Sequence, residues 1–156
     1  MMAKNIDVSL STGDIELENC KAESISLETT TGYIEASGLQ VDSAFSTEVS
    51  TGKTELSDVN CKTYTSEGST GRITLTRFVC EGLMSIERDT GDVTLYDSDA
   101  GEILIETDTG DVSLELRSEK VFITSTDTGR IRVPESTSGG KCKVTTDTGD
   151  ISATYK

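Results

Sequence analysis

Five glutamates, Glu28, Glu48, Glu67, Glu87 and Glu106, recur at steps of 19 or 20 residues. Carboxylates at so regular a pitch could gather cations, calcium among them, or dock a basic partner, provided that the fold brings them onto one face. The plainer reading is a solvated, charged side of the molecule. Two aspartate series accompany them: Asp89, Asp108, Asp127 and Asp147, then Asp92, Asp111 and Asp150. They too invite a calcium reading, but the calcium-binding β-roll repeat is a nonapeptide far richer in glycine. Lys53, Arg72 and Arg130 also interrupt the second series, so capping of turn backbone is the more economical role. The chain has no histidine. That excludes Ser-His-Asp and Cys-His catalysis and histidine-based metal sites. No residue is assigned a catalytic, cofactor-binding or metal-binding role.

Cys20, Cys61, Cys80 and Cys142 contain no close pair of the kind a zinc site uses. Cys61 and Cys80 occupy one position in successive repeats, which in a stack of coils would set their Cα atoms about 5 Å apart, within disulfide reach. Two small buried thiols standing in for alanine or valine are the simpler account. The pairs Thr29 and Thr31, Thr107 and Thr109, Thr126 and Thr128, Thr146 and Thr148 suggest an ice-binding ladder. Asp108, Asp127 and Asp147 between threonines, and Val49, Gly68 and Arg88 in other copies, break any flat, weakly charged face.

What must position these residues is a repeat. Thr-Gly recurs at Gly13, Gly32, Gly52, Gly71, Gly91, Gly110, Gly129 and Gly149, at intervals of 19 or 20 residues. A fixed period near 20 marks a stacked-repeat architecture. Two residues after each glycine stand Ile15, Ile34, Thr54, Ile73, Val93, Val112, Ile131 and Ile151; four after it stand Leu17, Ala36, Leu56, Leu75, Leu95, Leu114, Val133 and Ala153. Polar residues alternate with them, the period of a half-buried strand. A second strand precedes the glycine, with Ile6, Ile25, Phe45, Tyr64, Met84, Ile103, Phe122 and Cys142 seven residues before it. Nine residues after the glycine lies a mostly small column, Ala22, Val41, Cys61, Cys80 and Ala100. Seven after it, Cys20, Leu39, Val59 and Phe78 give way to Ser98, Arg117 and Ser136, so the second corner decays toward the C-terminus. Pro134 and the run 136–140 predict that the seventh coil bulges outward. The glycine itself predicts a positive φ at a sharp corner.

One strand pair cannot bury its apolar face alone, whereas stacked coils share a continuous core. The predicted fold is therefore all-β: a single-stranded β-solenoid of about eight coils, each of 19–20 residues and stacked in chain order. Right-handed coiling is the expectation for parallel crossovers. Residues 1–156 form one domain, which we expect to be excised from a longer chain. With 14 basic and 28 acidic residues the formal charge is −14, which repels nucleic acid and anionic lipid. No run of apolar residues is long enough for a membrane helix, and the N-terminus carries no signal-peptide core. Any membrane attachment is expected to lie outside this chain.

The repeated unit seen at Asp89–Leu95, Asp108–Leu114 and Asp147–Ala153 resembles the adhesin-like bacterial β-solenoid domains called Toastrack. That resemblance implies a module outside the cytoplasmic membrane, behind a membrane anchor, in some cases tied to envelope-stress sensing. It implies no catalytic residue. The expected function is a non-catalytic surface or envelope module that binds a protein or glycan partner. The alternatives are a carbohydrate-active β-helix enzyme, with converging carboxylate and basic residues in a groove, and a multimerising stalk.

The alternation is directly testable. Leu75→Asp should bury an unpaired charge and cost several kcal/mol, of order 4 or more, in denaturant unfolding. Thr74→Asp, one residue away, should cost under about 1 kcal/mol. Equal losses would refute the assigned faces.

Overall fold

The computed structural model describes residues 2–135 and 138–155. Every regular element among them is a strand, and the strands wind into a parallel β-solenoid of about seven turns. The eight Thr-Gly corners bound those turns. In chain order the strands are β1 (Met2–Thr12), β2 (Ile15–Thr31), β3 (Ile34–Val41), β4 (Ala44–Thr51), β5 (Thr54–Cys61), β6 (Thr63–Thr70) and β7 (Ile73–Thr90). They continue as β8 (Val93–Thr109), β9 (Val112–Leu116), β10 (Lys120–Thr128), β11 (Ile131–Arg132), β12 (Gly140–Thr148) and β13 (Ile151–Tyr155).

The apolar columns face inward. Ile34, Ile73, Val93 and Val112 are fully buried two residues after their glycines, and Leu56, Leu75 and Leu95 four after theirs. The small column Ala22, Val41, Cys61, Cys80 and Ala100 is buried throughout. Phe45, Tyr64 and Phe78 form an aromatic knot across the interior, with ring centroids 4.7–6.3 Å apart. Such contacts add to the burial of large apolar surfaces.

The corner glycine is required twice over. Gly91 and Gly110 have φ of 150° and 153°, a region that L side chains rarely adopt. Each also packs on its neighbour's backbone: a Cβ on Gly91 would lie 1.8 Å from the Gly71 carbonyl oxygen. The corner is then tied by side chains. Thr29 Oγ1 donates to the Gly13 carbonyl at 3.0 Å, and Thr107 and Thr146 do the same for Gly91 and Gly110. These threonines, three before the glycine, point inward, which removes the ice-binding ladder as a surface feature.

A kink lies six residues after the glycine. Asn19, Asp58, Arg77 and Asp97 there have φ near +50°, and Gly38 has φ of 64°. The left-handed residue breaks the strict alternation, so the inward positions fall four, seven and nine after the glycine. Asn, Asp and Gly suit that conformation; Arg77 reaches it with its guanidinium held by Asp58. In the next coil the kink is absent. Ser98 pairs with Leu116 after a register shift, so Leu116 is buried and Arg117 is exposed. The column that placed Arg117 opposite Ser98 is thereby corrected: one bulge lets the apolar residue take the inward place.

The largest departure is the order of the last two layers. Stacking in chain order was expected; instead β12 lies between β8 and β10, and β13 between β9 and β11. After β9 the chain climbs through residues 117–119 to the outermost layer, and β12 and β13 then fill the layer below. The outward bulge expected at Pro134 and the run 136–140 falls partly on Ser136 and Thr137, which lie outside the described residues. Pro134 supplies a physical reason. It follows closely on β11, which is only two residues long, and a proline lacks the N–H that an inner strand must donate. The C-terminal repeat keeps an unbroken β13 and can pair on both edges.

Layer order can be read by crosslinking. Glu106 pairs directly with Thr145, while Ser125 pairs with Thr145 from the other side. Glu106→Cys/Thr145→Cys, about 4.8 Å apart, should form a disulfide; Glu106→Cys/Ser125→Cys, about 10 Å apart, should not. The reverse result would restore simple chain-order stacking.

Candidate functional site

The five glutamates are brought together as expected. Glu28 pairs with Glu48, Glu48 with Glu67, Glu67 with Glu87, and Glu87 with Glu106, in one unbroken ladder, and all five are exposed. Neighbours at a sheet spacing of about 4.8 Å repel each other. The outward positions two residues to either side in these layers are Ser26, Ser46, Thr65, Ser85 and Leu104, then Thr30, Ser50, Ser69, Asp89 and Asp108, and none is basic. The face is thus a flat anionic sheet surface.

Arg88 is adjacent in sequence to Glu87, but its side chain turns inward and is 3% exposed. Nη2 donates to Ser66 Oγ at 3.0 Å and Nη1 to the Glu87 carbonyl at 3.2 Å. Gly68 makes the room: a Cβ there would lie 2.5 Å from Arg88 Nη1. The guanidinium joins a buried polar chain in which Ser66 Oγ meets Thr47 Oγ1 at 3.2 Å, and Thr47 meets the Tyr64 hydroxyl at 2.8 Å. Burial lowers the Arg88 pKa and pushes Tyr64 up to about 12. Above Gly68 the surface dips into a polar cavity of about 260 Å³, lined by Glu48, Glu67, Glu87 and Asp89 with Ser50 and Ser69.

The aspartate series divide by role. Asp92 Oδ1 accepts the Asp111 N–H at 2.9 Å, Asp111 Oδ1 accepts the Asp150 N–H at 2.9 Å, and Asp150 Oδ1 accepts the Arg130 N–H at 2.9 Å. These carboxylates cap backbone between layers and trace the same inverted order. Asp89, Asp108, Asp127 and Asp147 are exposed. Among the described residues no three or more carboxylate, cysteine or histidine side chains converge as a metal site.

A second constellation was missed by sequence reasoning. Where the chain skips a layer, a cavity of about 590 Å³ opens between Val79, Cys80, Asp99, Gly101, Lys120 and Gly140. Lys120 is 2% exposed. Its Nζ donates to Asp99 Oδ1 at 2.7 Å and to Ser118 Oγ at 2.6 Å, while Ser118 donates to Asp99 Oδ2 at 2.7 Å. Burial works against the Asp99 carboxylate, but the hydrogen bonds from Lys120, Ser118 and the Ala100 N–H, with the Lys120 charge, outweigh it and hold its pKa below the ordinary value. The available signal was a lysine in a column that holds Gly82, Gly101 and Gly140 in the other C-terminal coils, and it has no meaning until the layer order is known. Chemically, the ammonium and carboxylate neutralise each other, so neither is poised as a free base.

Fold and surface together define a β-solenoid module with one anionic sheet face and a structural ion pair at its irregular end. The chain belongs to the Toastrack family (DUF4097), a domain of unknown function, whose profile matches residues 42–156. No curated protein and no solved structure matches the chain.

The ion pair generates a prediction. Asp99→Ala leaves the buried Lys120 ammonium unpaired and should cost about 3 kcal/mol. Lys120→Met leaves only Asp99, which retains 22% side-chain exposure, and should cost roughly half as much or less. Because the folded pKa of Asp99 is depressed, its contribution is present above the ordinary carboxylate value and is lost as pH falls through the folded one. Urea unfolding between neutral pH and pH 3 should show a steeper acid loss in the parent than in Asp99→Ala.

Proposed function

We propose that this domain is a non-catalytic binding module of the bacterial envelope that docks a cationic partner, in the first instance a Lys/Arg-rich protein segment, on its glutamate face. The carrying observation is the unbroken ladder Glu28, Glu48, Glu67, Glu87 and Glu106, exposed and in register with no basic side chain two residues to either side within its own layers. A rigid parallel sheet holds these charges at fixed spacing. The repulsion is built into the folded state, and an arriving cationic segment relieves it while gaining electrostatic steering. An adhesin-like or stress-sensing role outside the cytoplasmic membrane is the setting that the Toastrack resemblance supports. A glycan remains a partner class for the same face, through its polar serines and threonines.

A carbohydrate-active reading draws on one observation, the convergence of Asp99, Glu119 and Lys120 at the 590 Å³ cavity. The tight Lys120–Asp99 pairing weighs against it, since hydrolysis requires two independently titrating carboxylates. Cleavage of a panel of acidic and neutral polysaccharides, lost in Asp99→Asn, would favour it over the binding reading.

The binding reading is tested with a labelled oligolysine peptide. It should bind the parent, weaken steeply with salt, and lose roughly tenfold or more in affinity in Glu48→Gln/Glu67→Gln/Glu87→Gln. Without peptide, Glu67→Gln should raise the melting temperature at low salt, and millimolar calcium should stabilise the parent more than sodium chloride of equal ionic strength. Equal peptide binding by parent and triple variant, with calcium and sodium acting alike, would leave the ladder a solvated face and end the proposal.

A further inference from the structure

We propose that Cys61 and Cys80 form a dithiol–disulfide couple, oxidised by a small hydroperoxide, that covalently staples two neighbouring coils. The two cysteines are direct partners in the parallel ladder between β5 and β7. In-register partners have Cα atoms about 4.8 Å apart, inside the span of about 4.4–6.8 Å that a disulfide bridges. Both thiols are free and buried. On the other side of β7, the ladder with β8 shifts register just beyond Cys80, between Cys80 and Leu83, so the backbone there is not held by regular pairing on both sides.

The surroundings distinguish the two sulfurs. As a thiol, Cys80 Sγ donates to the Lys62 carbonyl at 3.2 Å or the Leu83 carbonyl at 3.4 Å; the Cys61 thiol beside it, with the Gly82 and Tyr64 N–H groups, holds its pKa below the ordinary thiol value despite burial. Cys61, beside Cys80 and buried, is pushed up and keeps its proton. Cys80, which also lines the larger of the two adjacent cavities, is therefore the attacking sulfur and Cys61 the resolving one. Access suits a small oxidant. Cys80 lines the 590 Å³ cavity and Cys61 an adjacent one of about 200 Å³, whereas a protein oxidant would have to reach sulfurs only 2% and 4% exposed.

The chemistry balances. The Cys80 thiolate attacks a peroxide oxygen; the O–O bond breaks, the leaving alkoxide or hydroxide takes a proton, and Cys80 becomes a sulfenic acid. The Cys61 sulfur then attacks Cys80 sulfur, its proton departs with the hydroxyl as water, and the S–S bond forms. Two thiols lose two electrons and the peroxide gains them. Cys142 stands between Ile103 and Phe122 in its ladder and Cys20 beside Leu39, so neither has a thiol neighbour in register.

The test is mass spectrometry of the intact chain after dilute hydrogen peroxide, without reductant. A loss of about 2 Da is expected, with trypsin releasing the peptides 54–62 and 78–88 as one linked species while Cys20 and Cys142 stay free. The oxidised form should melt roughly 5–10 °C higher, and dithiothreitol should reverse the shift. Cys61→Ala and Cys80→Ala should fold, since Ala22 and Ala100 occupy the same column, and should lose both effects. Direct conversion to sulfinic acid, a link engaging Cys20 or Cys142, or an unchanged melting temperature in the linked protein would overturn the proposal. The peptide map on the parent decides it even if a variant misfolds.

Discussion

From Gly32 onward, each coil of this solenoid turns at a glycine that lies directly on the carbonyl of the glycine in a neighbouring layer, with no space for a Cβ between them. That contact sets everything else. It fixes the layers at the hydrogen-bonding distance of a parallel sheet at the corner itself, where regular pairing is hardest to maintain. It also demands the same residue at the same place in every coil, so the repeat length is dictated by one turn of the wall. Thr-Gly N–H to carbonyl bonds of 2.8–3.1 Å run the length of the corner. The threonine three residues upstream and the aspartate one residue downstream satisfy the groups that the turn leaves over.

Because the corner is so strictly built, variation moves into the interior and onto the outer face. Where two neighbouring inward columns admit Thr47 and Ser66 in place of aliphatics and Arg88 in place of threonine, the structure answers with a connected polar chain ending at Tyr64, and with Gly68 vacating space for the guanidinium. A buried cation beneath the middle of an anionic ladder offsets part of the repulsion from below. It does so without placing a basic side chain on the surface, so the outward field stays negative. The same fold thus anchors the glutamates and keeps them available.

The inverted end has a mechanical consequence. β10 pairs with β12, and β11 with β13. The outermost layer therefore rests on the last residues of the chain, and its sheet hydrogen bonds form when those residues are in place. Lys120 seals the climb between layers by reaching back to Asp99, and Tyr155 closes it from the other side through its hydroxyl and the Lys120 backbone at 3.0 Å. A charged pair is tolerated in this position because the interior there is already interrupted.

The coil length, the inward columns, the positive-φ glycines and the in-register glutamates were all decided locally, by period-two alternation and by what a corner does to backbone, and so they stand in the sequence for the eye to read. The kink at Asn19, Asp58, Arg77 and Asp97 was half visible, as a three-residue gap between apolar positions; Arg77 hid it, because arginine announces no left-handed turn. The direction of the Arg88 side chain depended on the vacancy at Gly68, twenty residues away in another coil. The order of the last two layers, and with it the Lys120–Asp99–Ser118 cluster, was decided only in three dimensions. Two repeats with equivalent columns fit either layer by pattern alone, and the choice falls to a non-local difference: which of them can hydrogen-bond on both edges, and which must end at a proline.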